Sequence, residues 1–140
     1  MQQESRVVLD TNLIISAAIS ADGAPARIFE LVLEKKITNY ISDEIIEEIE
    51  EVFDRPYIKG HISEEYKRLI LDNLKNLSIK IKPTFNESAV AEDPKDNKFI
   101  NCALSAKADI VSGDKHLLQL GTYGGITIFD VNAFLDLFNR

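Results

Sequence analysis

The sequence VVLDTN, from Val7 to Asn12, indicates how this 140-residue chain folds. Its apolar, β-branched beginning is typical of a strand buried on both faces of a sheet, and it ends abruptly in the carboxylate of Asp10. Ligands bind at the carboxyl ends of the strands in an open α/β sheet, so an acid at this place is a candidate for chemistry. The alternative is that Asp10 only caps a helix beginning at Leu13, since Asp is a favoured N-cap residue.

Strand-like and helix-like segments alternate along the chain. Strands are predicted at 7–10, 38–42, 78–82, 109–112 and 126–129, and helices at 13–20, 26–36, 43–54, 63–77, 94–107, 114–120 and 131–138. Because βαβ crossovers cover both faces of a parallel sheet with helices, this order predicts a three-layer α/β/α sandwich with a mostly parallel sheet of about five strands. The length and the lack of repeats or linkers predict a single domain, residues 1–140.

Composition restricts the class of protein further. The polar first residues and the short apolar segment at 13–19 match neither a signal peptide nor a membrane span, so we expect a cytoplasmic protein without a membrane partner. The single cysteine, Cys102, excludes an internal disulfide and a multi-cysteine zinc site, and we expect it to pack in the core. A net charge of −7 argues against binding nucleic acid by bulk electrostatics, but acids that hold metal ions are compatible with a nuclease.

Four acids recur where predicted elements end or begin. Asp10 and Asp114 each follow an apolar strand, Asp96 stands in the first turn of the fifth predicted helix, and Glu48 borders the apolar face of the third. Each has a structural alternative as a helix cap or a solvated side chain. If the four converge at one sheet edge, their like charges require a cation, and oxygen ligands favour Mg²⁺ or Mn²⁺.

Helical geometry separates Glu48 from the other glutamates of its helix. With about 100° between successive residues, Glu48 can face the sheet, whereas Glu47 and Glu51 point away from it. Glu44 lies one turn earlier on the same side as Glu48 and is therefore the credible substitute.

Four motifs in this order resemble those of PIN-domain proteins. They are LDTN at 9–12, SDEIIEEI at 42–49, DPKDNK at 93–98 and SGDKHLL at 112–118. The resemblance covers nearly the whole chain, from about Arg6 to Phe138, and is greatest to the VapC-type ribonucleases that act as toxins in bacterial and archaeal toxin–antitoxin pairs. It implies an α/β/α sandwich and metal-dependent ribonuclease activity.

The resemblance also implies roles for individual residues. The catalytic, metal-binding positions of the family fall on Asp10, Glu48, Asp96 and Asp114, with magnesium or manganese as the metal. Four polar residues lie on or beside these acidic positions and are expected to support the acids or to contact the substrate. They are Asn12, Ser112, Asn97 and Lys98. Many relatives carry another acid where this chain has Asn97, so the resemblance supports one metal ion better than two.

Other polar residues near these motifs have less certain roles. Lys95, Lys98 and Lys115 are candidates for contacts with phosphate, although they are equally well explained as surface lysines. His61 and His116 are isolated in the sequence, and we expect neither to be catalytic, because metal-assisted hydrolysis needs no imidazole base.

The resemblance implies partners as well, and two other functions stay open. Relatives commonly form homodimers and bind a small antitoxin protein that blocks the active site, in addition to the RNA substrate. One alternative is a phosphatase that forms an aspartyl phosphate on Asp10, but such enzymes usually need a second Asp where this chain has Asn12. The other is a non-catalytic RNA- or protein-binding module with a structural metal ion.

Overall fold

The computed structural model describes residues 5–138, and these contain six strands and eight α-helices. Strands β1 to β6 are Ser5–Leu9, Ile37–Ile41, Ile79–Lys80, Asp109–Val111, Thr122–Tyr123 and Ile126–Phe129. Helices α1 to α8 are Thr11–Ile19, Ala24–Leu33, Asp43–Phe53, Pro56–Lys59, Glu64–Leu77, Asn97–Ala106, Lys115–Leu118 and Val131–Phe138, and a 3-10 turn at Pro94–Asp96 leads into α6. No helix in this part of the chain is both long and apolar enough to cross a membrane.

The sheet is built around β1. Its strand order is β3-β2-β1-β4-β6-β5, and every neighbouring pair is parallel except the hairpin of β5 and β6. In β1, Val7 pairs with Asn39 on one side and with Asp109 on the other. The predicted α/β class and mostly parallel sheet are therefore confirmed.

The strand that the sequence did not predict is β5, which lies among the glycines at 121, 124 and 125. Gly124 and Gly125 have φ values of 57° and 89°, which permit a two-residue hairpin loop between β5 and β6. The turn chemistry was visible in the sequence, but β5 is too short to show a strand pattern of its own.

The hydrophobic core lies between the sheet and the helices that pack against it. Helix α6 packs against β1, β2 and β4, whereas α1 packs against α2 and α3. The fully buried side chains include Leu9, Ile14, Ile45, Ile100 and Ile110. The free Cys102 is also fully buried, and burial raises the pKa of its thiol to about 12, so it is a packing residue and not a reactive one.

Several predicted boundaries are wrong for identifiable reasons. The first helix starts at Thr11 instead of 13, because Asp10 caps it directly at the end of β1. The second starts at Ala24, since Pro25 occupies its first turn, and it ends at Leu33 before Lys35 adopts a left-handed φ of 60°. Helix α4 was not predicted, and the proline that ends the preceding helical pattern starts it. The predicted edge strand at 78–82 has only two paired residues.

The loop at 83–92 is held against α6 by three side chains. Asn97, Asn101 and Ser105, spaced four residues apart on α6, accept the backbone N–H groups of residues 90, 87 and 84 at 2.7, 2.7 and 2.9 Å. This polar ladder therefore gives a segment without helix or strand a defined path up to Asp93.

Candidate functional site

A pocket of about 140 Å³ lies at the carboxyl ends of β1 and β4. It is lined by Asp10, Thr11, Asn12, Glu48, Val52, Arg55, Asp93, Lys95, Asp96, Phe99 and Asp114. The four acids that the sequence singled out therefore share one pocket. Asp10 and Asp114 reach it because β1 and β4 are parallel neighbours, and Asp96 and Glu48 reach it from the helices beside them.

Asp10 caps a helix and also lines the pocket. Its side chain is 2% exposed, and its Oδ1 accepts the backbone N–H of Leu13 at 2.8 Å. Its Oδ2 accepts the hydroxyl of Ser112. Burial raises the pKa of Asp10 to about 6, although the hydrogen bonds from Ser112 and Leu13 act in the opposite direction. The two interpretations of Asp10 in the sequence are thus compatible.

Ser112 connects the acids of the two strands. Its fully buried hydroxyl donates to Asp10 and accepts the backbone N–H of Asp114 at 2.9 Å. Asp114 in turn caps α7, with its Oδ1 accepting the N–H of His116 at 2.7 Å. One hydroxyl therefore joins the carboxylate of Asp10 to the backbone of Asp114.

Asp96 is the most strongly perturbed acid of the pocket. Asp96 is 9% exposed, and as an ionised carboxylate its buried Oδ2 accepts no hydrogen bond from the described residues, although a protonated Asp96 can share its proton with Asp114. Burial, followed by the negative charges of Asp114 and Asp93, raises the pKa of Asp96 to about 7. A buried oxygen without a partner is costly, so this carboxylate is suited to a ligand.

Glu48 is held by hydrogen bonds on both oxygens. Oε1 accepts the hydroxyl of Thr11, and Oε2 lies 2.5 Å from the ammonium nitrogen of Lys98. The side chain of Lys98 is only 11% exposed. The alternative of a solvated surface lysine is therefore wrong, because Lys98 is the counter-ion of Glu48 and supports that acid. A contact of Lys98 with phosphate stays a prediction.

The structure separates the neighbouring glutamates as helical geometry predicts. Glu48 is half-buried and lines the pocket, whereas Glu47 and Glu51 are exposed. Glu44 is exposed and lines a different, larger groove of about 650 Å³.

The remaining predicted residues occupy different places. Asn12 and Lys95 are exposed at the rim of the pocket, and Lys115 is exposed without lining it. Asn97 does not line the pocket either, because its side-chain oxygen accepts the N–H of Val90. Asn97 positions the preceding loop, and a role in supporting the acids or contacting the substrate stays a prediction.

His116 was underestimated by the sequence reasoning. Its Nε2 lies 3.3 Å from Oε2 of Glu92, and its Nδ1 lies 4.0 Å from Oδ1 of Asp114. It is therefore not isolated, and the signal that marks it is its position in the first turn of the helix that Asp114 caps. His61, by contrast, contacts the backbone oxygen of Tyr57 at 2.8 Å and lies outside the pocket lining.

Comparison of the sequence with known protein families agrees with this geometry. A sequence model of the PIN domain matches residues 6–116. The chain belongs to the PIN-domain family. PIN domains are generally nucleases and usually bind divalent metal ions, so this membership supports a nuclease with a divalent metal.

Two proteins are similar to this PIN domain. The uncharacterized protein MJ1680 of Methanocaldococcus jannaschii is 41% identical over 116 residues, which cover 82% of this chain and 74% of that protein. The crystal structure of PAE2754 from Pyrobaculum aerophilum is similar with a TM-score of 0.66, covering 97% of this chain and 90% of that chain. Its identity is 15%, so this second likeness shows the fold alone.

The residues of the pocket fit a divalent cation. Asp10, Glu48, Asp96 and Asp114 offer only oxygen donors, which hard divalent ions prefer. The unpartnered Oδ2 of Asp96 and its raised pKa, with that of Asp10, are the signs expected of carboxylates gathered for a positive charge.

Proposed function

We propose that this chain is a single PIN domain that acts as a metal-dependent ribonuclease, and that it is the toxin of a toxin–antitoxin pair. The observation that supports it most is the buried, unpartnered carboxylate oxygen of Asp96 in one pocket with Asp10 and Asp114. Three ionised carboxylates that line one small pocket repel one another unless a cation neutralises them. Family membership then favours a phosphodiester as the substrate.

In this proposal the four acids hold one magnesium or manganese ion. A bound divalent cation would neutralise charge on the phosphodiester and lower the pKa of the water molecule that attacks it. Ser112 and the backbone of Leu13 hold both oxygens of Asp10 in one orientation. Thr11 and Lys98 do the same for Glu48, which leaves a carboxylate of fixed direction at the pocket wall.

The size of the pocket favours a polymer as substrate. Sites for whole small molecules usually measure about 300 to 1,000 Å³, and this pocket measures about 140 Å³. It is therefore suited to a single phosphodiester group of a chain that continues outside. Arg55 and Lys95, both exposed at the rim, supply positive charge for the neighbouring phosphates.

The proposal includes partners and location. We propose single-stranded or structured RNA as substrate, a second copy of the chain in a homodimer, and a small antitoxin protein that covers the pocket in the cytoplasm. The similarity of the motifs around Asp10, Glu48, Asp96 and Asp114 to VapC-type ribonucleases supports this set.

The test is cleavage of RNA by the metal-free protein before and after metal is added. We expect end-labelled single-stranded RNA to be cut when Mg²⁺ or Mn²⁺ is present, to stay intact in chelator, and to stay intact with Asp10→Asn. Glu47→Gln, whose side chain is exposed outside the pocket, is the matched control and should cut normally. Wild type that cuts no RNA with either metal, or Asp10→Asn that cuts as wild type does, would overturn the proposal.

The same samples test the phosphatase alternative. Both oxygens of Asp10 accept hydrogen bonds, which opposes their use as a nucleophile. We therefore expect no hydrolysis of p-nitrophenyl phosphate under conditions in which RNA is cut. Release of nitrophenol together with intact RNA would favour the phosphatase instead.

A further inference from the structure

A second group of metal-binding side chains lies beside the four acids. One ligand atom each of Asp93, Asp96 and His116 lies within 4.8 Å of the other two. Ligands of one ion, each about 2.1 Å from it, lie at most about 4.2 Å apart, so small side-chain rotations would bring the three atoms to one cation. This group shares Asp96 with the four acids and adds a ring nitrogen.

The burial of Asp96, which also supports the site of the four acids, favours a ligand for this group as well. Its side chain is more than nine-tenths buried, and its Oδ2 has no hydrogen-bond donor among the described residues although His116 is close by. The imidazole therefore does not satisfy the carboxylate directly. A cation between the two side chains would do so.

The ring of His116 has a carboxylate beside one of its nitrogens, as many metal-bound histidines do. Such a histidine usually donates its second ring N–H to a carboxylate, which sets the tautomer. Here Nε2 faces Oε2 of Glu92 at 3.3 Å, which leaves Nδ1 on the side of Asp114. The ring is 27% exposed, so an ion from solvent can reach it.

Both new ligands are held by local structure. His116 stands in the first turn of α7, with its N–H bonded to Oδ1 of Asp114. The backbone oxygen of Asp93 accepts the N–H of Asp96 at 3.0 Å in the 3-10 turn, and the polar ladder on α6 holds the loop before it. The group is thus attached to the same strand end and helix start as the four acids.

We propose that Asp93, Asp96 and His116 form a second cation position that selects transition metals over magnesium. Imidazole is a good ligand for zinc and other first-row transition metals, whereas Mg²⁺ prefers oxygen and gives up its water reluctantly. The position shares Asp96 with the proposed active site but does not depend on RNA cleavage. The four acids take either kind of ion, and the position at His116 takes Mn²⁺, Co²⁺ or Zn²⁺.

The direct test is the ¹⁵N spectrum of the two histidine rings. The chain has only His61 and His116, so the ring signals are assigned with one variant, His116→Asn. We expect Zn²⁺ to shift the Nδ1 signal of His116 while Nε2 stays protonated, and millimolar Mg²⁺ to leave both signals in place. Unchanged His116 signals with Zn²⁺ would overturn the proposal. So would signals that show both ring nitrogens of His116 protonated in the presence of Zn²⁺, as in a plain ion pair.

Affinity measurements give a second, separate test. We expect wild type to bind two Mn²⁺ ions in a titration followed by the free-ion electron paramagnetic resonance signal. We expect His116→Asn and Asp93→Asn each to weaken the binding of one of these two ions at least tenfold. His61→Asn, which removes the exposed histidine, is the matched control and should change it less than twofold. Equal Mn²⁺ affinity in wild type and His116→Asn would contradict the second position.

The two proposals fail separately in these experiments. RNA cleavage with Mg²⁺ alone reports on the four acids, and the ring signals of wild type report on the second position without any RNA. A zinc-dependent shift in a protein that cuts no RNA would leave the second position standing and remove the ribonuclease. Cleavage in a protein whose His116 ignores zinc would do the reverse.

Discussion

Replacing Asp96 by asparagine should flatten the pH dependence of stability in the metal-free protein. The pKa of Asp96 rises from 3.8 to about 7 on folding, so between those values the folded state binds the proton that the unfolded state releases. The free energy of unfolding of wild type therefore falls as pH rises from about 4 to about 7. At about 1.4 kcal/mol per unit, and with the folded-state carboxyl half deprotonated at pH 7, the raised pKa of Asp96 costs about 2 kcal/mol between pH 5 and pH 7.

Urea unfolding in chelator at pH 5, 6, 7 and 8 measures this effect. We expect wild type to lose stability relative to Asp96→Asn over the first two steps and to change little relative to it above pH 7, where the carboxylate is charged in both states. The comparison uses the slope with pH, since the buried asparagine amide adds a constant cost at every pH. Asp136→Asn, an exposed acid on α8, is the matched control and should run parallel to wild type. Parallel curves for wild type and Asp96→Asn would refute the reasoning.

Three further outcomes follow from the pocket. Glu48→Gln should lower the rate of RNA cleavage under saturating metal by roughly two powers of ten, while the rate for Glu47→Gln stays within a few fold of wild type. A severe loss in Glu47→Gln with normal cleavage by Glu48→Gln would show that the helix register is wrong. Mg²⁺ at a hundredfold excess over its dissociation constant should raise the free energy of unfolding of wild type by about 2.7 kcal/mol, and that of Asp10→Asn much less, in calorimetry. Ser112→Ala should destabilise the protein by about 1 to 3 kcal/mol in urea, since it leaves Oδ2 of Asp10 and the N–H of Asp114 without their hydrogen-bond partner; no change would contradict that role.

The sequence was most informative where hydrophobic periodicity is strong. The buried strands and amphipathic helices that form the α/β core follow directly from it, and the facing of Glu48 follows from the same geometry. The order of the strands was not accessible, because pairing of β1 with β4 depends on contacts about 100 residues apart. That pairing is what places Asp10 next to Asp114.

The contacts that the sequence reasoning missed all cross between elements. Asn97 was compared with acids of relatives, but it holds Val90 across a loop that has no periodicity to predict from. For Lys98 the sequence left a phosphate contact and a solvated surface position open, but it could not name the partner, Glu48, fifty residues earlier. His116 gains its neighbour Glu92 only because the loop end and the start of α7 meet in the fold.

The polar ladder on α6 constrains the length of the loop that precedes this helix. Surface loops generally tolerate insertions and deletions, since little depends on their register. Here three side chains of α6 accept backbone N–H groups at steps of three residues, so one added residue between 84 and 90 would break the match at one end. Natural variation in this region should therefore change side chains while conserving spacing, and engineers who wish to insert a tag or graft a peptide should choose another loop.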